Sequence, residues 1–385
     1  MSDESVYRYD LAVLRDSINA LRSMLPVSDL FYSVKANAHP DIIRHCVEHG
    51  LSIEVSSVGE LDAAVAAGAI VTDIVCTGPG KSDRYLSRAI EIGSCISVES
   101  VDEIDRLNNM EITRSSRVLV RINASKQTAK ARLQMTGVAS QFGIDEDQAS
   151  EAVQAVVDGP HQFAGVHLYM GSNIDSEDAL VEQFETAIAL ATPFEDLAQG
   201  PYLVDLGGGF GHPFARPGAR PQWPGLRRRL EGALAGHAGW RVAFESGRFI
   251  AGACGTLSME IKEVKWSKGV RYAVASSGVN HLGGLSGLRR IPTIRMQHAD
   301  NSKTDATELS CLVGPLCTPV DILSPRFEGA CEVGERVTIP NVGAYGLNAS
   351  LANFLGHPYP VELVVDGTSV VSRTRQSVIR ERIKE

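Results

Sequence analysis

The chain has 385 residues, 44% of them hydrophobic and 22% charged, with a formal net charge of −9. That is the make-up of a soluble globular protein with room for one large domain and a smaller one, and its acidic balance argues against a nucleic-acid footprint. No run of about 18 apolar residues offers a membrane span, and the opening MSDESVYRYD lacks the basic and apolar regions of a secretory leader, so a cytoplasmic protein is expected. Seven cysteines, Cys46, Cys76, Cys95, Cys254, Cys311, Cys317 and Cys331, form no C-x-x-C pair and have no histidines at zinc spacing. Neither a disulfide framework nor a structural metal is expected from them.

In chain order, β-branched runs bounded by turn residues predict eight strands. They are LFYSVKAN from Leu30, LSIEVSS from Leu51, DIVCTG from Asp73, CISVES from Cys95, RVLVRINA from Arg117, FAGVHLYMG from Phe163, YLVDLGGGF from Tyr202 and RVAFESGRF from Arg241. Helical patterns lie between them. HPDIIRHCVEHG has apolar residues at helical spacing and a closing glycine, and SVGELDAAVAAG opens with Ser57 followed three residues on by Glu60, as a capping box does. Strand and helix alternating eight times over about 240 residues is the arithmetic of a closed (β/α)8 barrel rather than an open doubly wound sheet. Beyond Phe249 the pattern changes to strand-like runs without regular helices: CGTLSMEIKEVKW, RYAVASSG, ERVTIPNVGAY and VELVVDG. The expected organisation is a barrel over residues 10–248 and a C-terminal β domain over residues 249–385, with residues 1–9 as a candidate addition to the second.

In such barrels the chemistry gathers where the βα loops converge, at the C-terminal ends of the strands. The first strand brings Lys35 there, the second Glu54 and Ser57, and the fifth Arg121. The sixth brings His167, Tyr169 and Ser172, the seventh the glycines Gly207, Gly208 and Gly209, and the eighth Glu245 and Arg248. Lys35 stands out, because an ammonium inside a buried strand costs several kcal/mol unless it is paired or neutral. A glycine triplet lets backbone N–H groups approach an anion, and Arg248 with the Ser172 hydroxyl would complete a phosphate site; alone, GGGFG reads equally well as a tight turn. A desolvated lysine in a barrel mouth forms Schiff bases, and a carboxylate across that mouth holds a pyridine nitrogen protonated. Phosphate cradle, Schiff-base lysine (Lys35) and pyridinium partner (Glu245) together specify pyridoxal 5'-phosphate. The competing reading of Lys35 is a lysine snorkelling at the barrel rim.

FYSVKAN, IEVSSVGEL, FGI at Phe142, GVHLYMGS, VDLGGGFG, FESGRFIAG, VGPLCTPVDIL and VGAYGLNASLANFLGHPYPVEL resemble, in order and spacing, the fold type III pyridoxal-phosphate decarboxylases. That family includes the diaminopimelate, ornithine and arginine decarboxylases and shares an alanine-racemase-like barrel. The resemblance implies that Lys35 holds the cofactor covalently and that Ser172, Gly207, Gly208, Gly209, Arg248 and Tyr345 hold its phosphate. It also implies that Glu245 pairs with the pyridine nitrogen. Cys317 would reach in from the partner subunit and handle the proton after carbon dioxide leaves, so a homodimer with shared active sites is implied. The bland reading of that cysteine is a small buried hydrophobe.

Three departures bear on substrate. Tyr169 stands where the family usually has a second histidine, so the ring stacked on the cofactor would be a phenol. Thr318 stands where diaminopimelate decarboxylases carry a glutamate directly after the catalytic cysteine. SSGVNHLGGLSGLRRIPTI departs from the pattern of those enzymes and looks closer to the branch serving antibiotic and siderophore pathways, with carrier-linked or citryl-type substrates. On this reading Arg121, His167, Arg289, Arg290, Thr318 and Asp321 face the substrate. Arg289 and Arg290 would bind remote carboxylates or a carrier phosphate, or are simply exposed loop arginines. Asp321 would lie near the substrate's distal end or the dimer contact, and Glu54 has no assigned role. The rival readings are a free basic amino acid decarboxylase, a racemase, and a non-catalytic pyridoxal-phosphate-binding homologue.

Overall fold

The computed structural model describes residues 4–26, 29–111, 114–125, 133–134, 140–283, 309–329 and 331–383. Two compact units emerge. One is formed by Arg15–His212 and Arg220–Ile250, and the other by residues up to Leu14, by Pro213–Ala219 and by the chain from Ala251 onward.

The first unit is a closed parallel barrel. Its strands are Asp29–Ser33, Ser52–Val55, Ile74–Cys76, Cys95–Val98, Arg117–Asn123, Gln162–Leu168, Leu203–Asp205 and Arg241–Ser246. Each pairs in parallel with the next, and the eighth pairs back onto the first, with Glu245 opposite Phe31. All eight predicted strands are present. Serine caps punctuate the intervening helices: Ser57, Ser82, Ser100 and Ser176 each accept a backbone N–H at the start of Val58–Ala66, Asp83–Ile92, Val101–Asn108 and Glu177–Ala191. Such a side chain satisfies one of the N–H groups a helix start leaves unpaired, which contributes about 1 kcal/mol per cap. The capping box at Ser57 is half reciprocal. Ser57 Oγ accepts from the Glu60 N–H at 3.2 Å, but the Glu60 carboxylate accepts from Ser56, one residue before the cap.

The barrel interior is layered. Phe31, Val75, Cys95, Leu119, Ala164, Leu203 and Ala243 form one buried apolar cluster drawn from seven strands. Because strand side chains alternate with a period of two, the residues two positions further on return to the same face. Those residues are Ser33, Thr77, Ser97, Arg121, Val166, Asp205 and Glu245, and the change from apolar to polar at all of them but Val166 marks where the core ends and the site begins.

The second unit is an eight-stranded sheet. Its order is Ile322–Glu328, Leu309–Val313, Val270–Ala275, Gly255–Ser267, Val6–Asp10, Val361–Asp366 and Ser369–Thr374, with Arg336–Ile339 also paired to Gly255–Ser267. The N-terminal strand Val6–Asp10 lies between Gly255–Ser267, antiparallel, and Val361–Asp366, parallel. Among the described residues no helix is long and apolar enough to cross a membrane.

Candidate active site

Lys35 is not inside a strand. The first barrel strand ends at Ser33, and Lys35 occupies a single 3-10 turn, Val34–Ala36, that lifts its side chain to the barrel mouth. There the Lys35 side chain is 38% exposed, and its ammonium donates at 2.9 Å to Oε2 of Glu54, a side chain only 1% exposed. The cost of placing a lysine at this depth is offset by that pairing, and Glu54 acquires the role the sequence left open. Burial pushes the Glu54 carboxyl up, but the Lys35 charge and hydrogen bonds from Thr77, Lys35 and Ser33 outweigh it and hold the group below the usual carboxylate range. Ser56 Oγ adds a further bond at 3.0 Å.

Across the mouth lie three buried groups from three successive strands, His167, Asp205 and Glu245, each with a polar atom within 4.8 Å of one on both of the others. His167 Nδ1 is hydrogen-bonded to Ser97 Oγ at 2.9 Å, and its Nε2 stands 3.4 Å from Glu245 Oε1. Burial, reinforced by the charges of Arg121, Lys35 and Lys81, drives the imidazole well below its ordinary value, so it is neutral at pH 7. Glu245 is pushed well above the usual range, first by burial and then by Asp205 and Glu54. Among the described residues its Oε1 has no hydrogen-bond partner, nor does Asp205 Oδ2. An unpaired acceptor in a dry pocket costs about 1–3 kcal/mol, which a ring N–H⁺ brought to Glu245 would recover. The pocket therefore fits a pyridinium.

The glycine loop follows directly. Gly207 and Gly209 adopt left-handed backbone, φ +68° and +104°, and Gly207 donates its N–H to Asp205 Oδ1 at 2.9 Å. A Cβ on Gly207 would sit 2.2 Å from the Leu168 carbonyl oxygen, and one on Gly208 2.3 Å from that of Glu245. The triplet is thus demanded by the approach of neighbouring strand ends as well as by any anion. Gly208→Ala is expected to push the loop off the eighth strand at a cost of about 1–3 kcal/mol. A lowered denaturation midpoint in cofactor-free protein, with weaker cofactor binding, is the result to look for. An unchanged midpoint would show that the loop yields freely.

Ser172 and Tyr169, both half-buried, share a hydrogen bond at 2.9 Å between hydroxyls. Lys35 Nζ lies 5.8 Å from the centre of the Tyr169 ring. Arg248 opens the short helix Arg248–Ala251 directly after the eighth strand. Arg121, expected to face substrate, is buried and already paired. It donates to Glu99 at 2.8 Å, with its guanidinium 5.1 Å from the Phe142 ring and 5.9 Å from that of Tyr169. Glu99 also accepts from Gly78 and Gly143, so the FGI motif serves to seat Arg121. His167 is likewise buried within the mouth and engaged with Ser97.

In the β unit, Cys317 is the one exposed thiol of the seven; the other six are buried. Thr318 follows it, with Oγ1 3.5 Å from the Val320 N–H. Asp321 is buried, and its two carboxylate oxygens accept from Val279 at 2.7 Å and Leu316 at 2.8 Å. Its carboxylate therefore ties down the loop that carries Cys317 rather than standing free for a distal substrate group. Tyr345 is half-buried in a left-handed conformation, φ +56°, which costs a non-glycine residue energy and is met most often at functional positions. Arg289 and Arg290 lie outside the described residues.

A closed parallel barrel with an ion-paired lysine, a buried pocket of two carboxyl groups and a glycine loop at its mouth fits an enzyme built for carbonyl-cofactor chemistry. Residues 11–252 match the family model described as "Pyridoxal-dependent decarboxylase, pyridoxal binding domain". The chain is 30% identical over 376 residues to "L-glutamyl-[BtrI acyl-carrier protein] decarboxylase" of Niallia circulans, covering 93% of this chain and 88% of that protein. It is 29% identical to "2-[(L-alanin-3-ylcarbamoyl)methyl]-2-hydroxybutanedioate decarboxylase" of Staphylococcus aureus, covering 92% of each. In three dimensions it is similar to diaminopimelate decarboxylase of Helicobacter pylori, solved with L-lysine, at TM-score 0.83, 21% identity and coverage of 98% and 95%. The chain belongs to the pyridoxal-dependent decarboxylase family. It is a carboxy-lyase that uses pyridoxal 5'-phosphate.

Asp205 and Glu99 were missed as site residues. Asp205 had a signal, since it directly precedes the glycine loop in VDLGGGFG; Glu99 had none, because a carboxylate at a strand end is unremarkable until its partners are known.

Proposed function

We propose that this decarboxylase acts on an α-amino acid extended by a carrier-protein linkage or a citrate-like group, in an antibiotic- or siderophore-type pathway, rather than on a free diamino acid. The observation that carries the reading is Thr318. Where diaminopimelate decarboxylases are expected to place a carboxylate beside the catalytic cysteine, this chain offers a hydroxyl turned to the backbone N–H of Val320. Without that carboxylate a distal ammonium loses its partner, and the loss of one charged contact suffices to exclude a substrate. The names of two relatives, one a carrier-linked glutamyl decarboxylase and one acting on a hydroxybutanedioate amide, support the same direction.

When bound, pyridoxal phosphate supplies an electron sink for the bond to the departing carboxylate. Lys35 Nζ would hold the cofactor, and Glu54, 2.9 Å away, would keep a proton at that nitrogen. Ser172, Gly207, Gly208, Gly209 and Arg248 would hold the phosphate, Tyr169 would lie beside the ring, and Glu245 would keep the ring nitrogen positive. Cys317 of a second copy would supply the proton that replaces the lost carboxylate, which makes a homodimer the proposed working form. A carboxylate at the ring nitrogen favours decarboxylation over racemisation, because racemases of this fold place an arginine there.

The test is a panel of carrier-linked, citryl-linked and free amino acids, diaminopimelate and ornithine included, followed by mass-spectrometric loss of carbon dioxide. A linked substrate is expected to exceed every free one in kcat/KM by about tenfold or more. Free diaminopimelate as the best substrate would overturn the assignment.

A further inference from the structure

We infer that Asp205 retains a proton and donates it as a hydrogen bond to Glu245, making Asp205 the positioning residue that keeps Glu245 a single negative charge aimed at the cofactor's ring nitrogen. The inference deepens the reading of this mouth as a pyridoxal phosphate site and rests on it. Asp205 is fully buried at the end of the seventh strand. Its Oδ1 accepts from Gly207, while among the described residues its Oδ2 and Glu245 Oε1 are both without a donor, although one polar atom from each member of the cluster lies within 4.8 Å of the others. Two carboxylates at that separation in a dry pocket do not both ionise unless a cation joins them.

Among the described residues, the cations whose charge reaches Glu245, Lys35 and Arg121, lower its carboxyl only through space and hydrogen-bond to other carboxylates. Lys35 pairs with Glu54 and Arg121 with Glu99. His167, the third member of the cluster, is neutral, and the remaining titratable neighbours, Glu54 on the second strand and Cys95 on the fourth, supply no positive charge. A proton on one of the two carboxyls is the remaining way to settle the pocket. Burial is the main cause that raises both groups, Asp205 to about 7 and Glu245 well above the usual range. Once a ring N–H⁺ faces Glu245, the negative charge belongs there, and the proton belongs on Asp205. Asparagine imitates that neutral acid: its oxygen can still accept from Gly207 and its amide can donate to Glu245.

Infrared spectroscopy of the cofactor-free protein reads the proton directly. The wild type is expected to lose one buried-carboxyl carbonyl stretch as pH rises past about 7 while that of Glu245 persists, and Asp205→Asn is expected to lack that transition. Pyridoxal phosphate affinity is expected within about threefold of wild type in Asp205→Asn and at least about tenfold weaker in Asp205→Ala, which has no donor. A role limited to holding the Gly207 N–H would leave the infrared transition in place in Asp205→Asn, and that result overturns the inference. So does an Asp205→Asn protein that loses the cofactor as badly as Asp205→Ala, since Asp205 would then act as an anion. Should Asp205→Asn fail to fold, Glu245→Gln decides: the transition belongs to Asp205 and is expected to persist in that variant, and its loss overturns the proposal. If no form of the protein takes up pyridoxal phosphate, the cofactor reading fails while the infrared result still decides where the proton sits.

Discussion

Lys35→Ala is expected to leave a colourless protein after desalting and to lower turnover by about 10⁴-fold or more, the scale on which removal of a covalent catalytic group acts. A second effect follows from the ion pair. In the wild type Glu54 is held below its ordinary value, so the pair contributes stability that is present above the unfolded carboxylate range and is lost as pH falls through the lowered value. Without Lys35, burial dominates and the Glu54 carboxyl rises above its unfolded value, leaving only hydrogen bonds from Thr77, Ser56 and Ser33. The sign then reverses. Lys35→Ala is expected to be less stable than wild type at pH 7–8 and to close the gap as the pH approaches 5, where Glu54 takes up a proton. Thermal midpoints across that range check the second effect, and absorbance with turnover checks the first. A yellow, fully active mutant would sink the assignment of Lys35.

Cys317→Ala is expected to slow product formation by about 10²–10⁴-fold, the usual contribution of a positioned acid, with the cofactor retained. The structure supplies an independent check. Cys317 is exposed in the single chain while the other six thiols are buried, so one thiol should react fast with an alkylating reagent and none should do so in the mutant. If the partner subunit covers that thiol in a dimer, protection should rise with protein concentration. Loss of cofactor from Cys317→Ala would place the residue elsewhere. Exchange of the α-proton in heavy water with the carboxylate retained would favour racemisation.

Much of the architecture was legible because its signals are local. β-branched runs, the step from period two to period 3.6 and serines at helix starts act within a few residues, and these carried the eight strands and the barrel. The side chains at the strand ends were equally legible, since a (β/α)8 pattern tells which end of each strand matters. Where the reading of Lys35 went astray, the cause was also local: a 3-10 turn continues an apolar run without changing its composition, so Val34–Ala36 looked like more strand.

By itself, then, the amino-acid order determined the folding units, the residue types at the barrel mouth and the chemistry they allow. Only the tertiary structure decided who pairs with whom, Lys35 with Glu54, Arg121 with Glu99 and Asp321 with its own loop, and which buried groups gather without pairing, Asp205 beside Glu245 and His167. The physical reason is barrel closure. It brings strand ends from distant parts of the chain within a few ångströms in a dry interior, where each carboxylate's charge state depends on its neighbours and not on its position in the sequence.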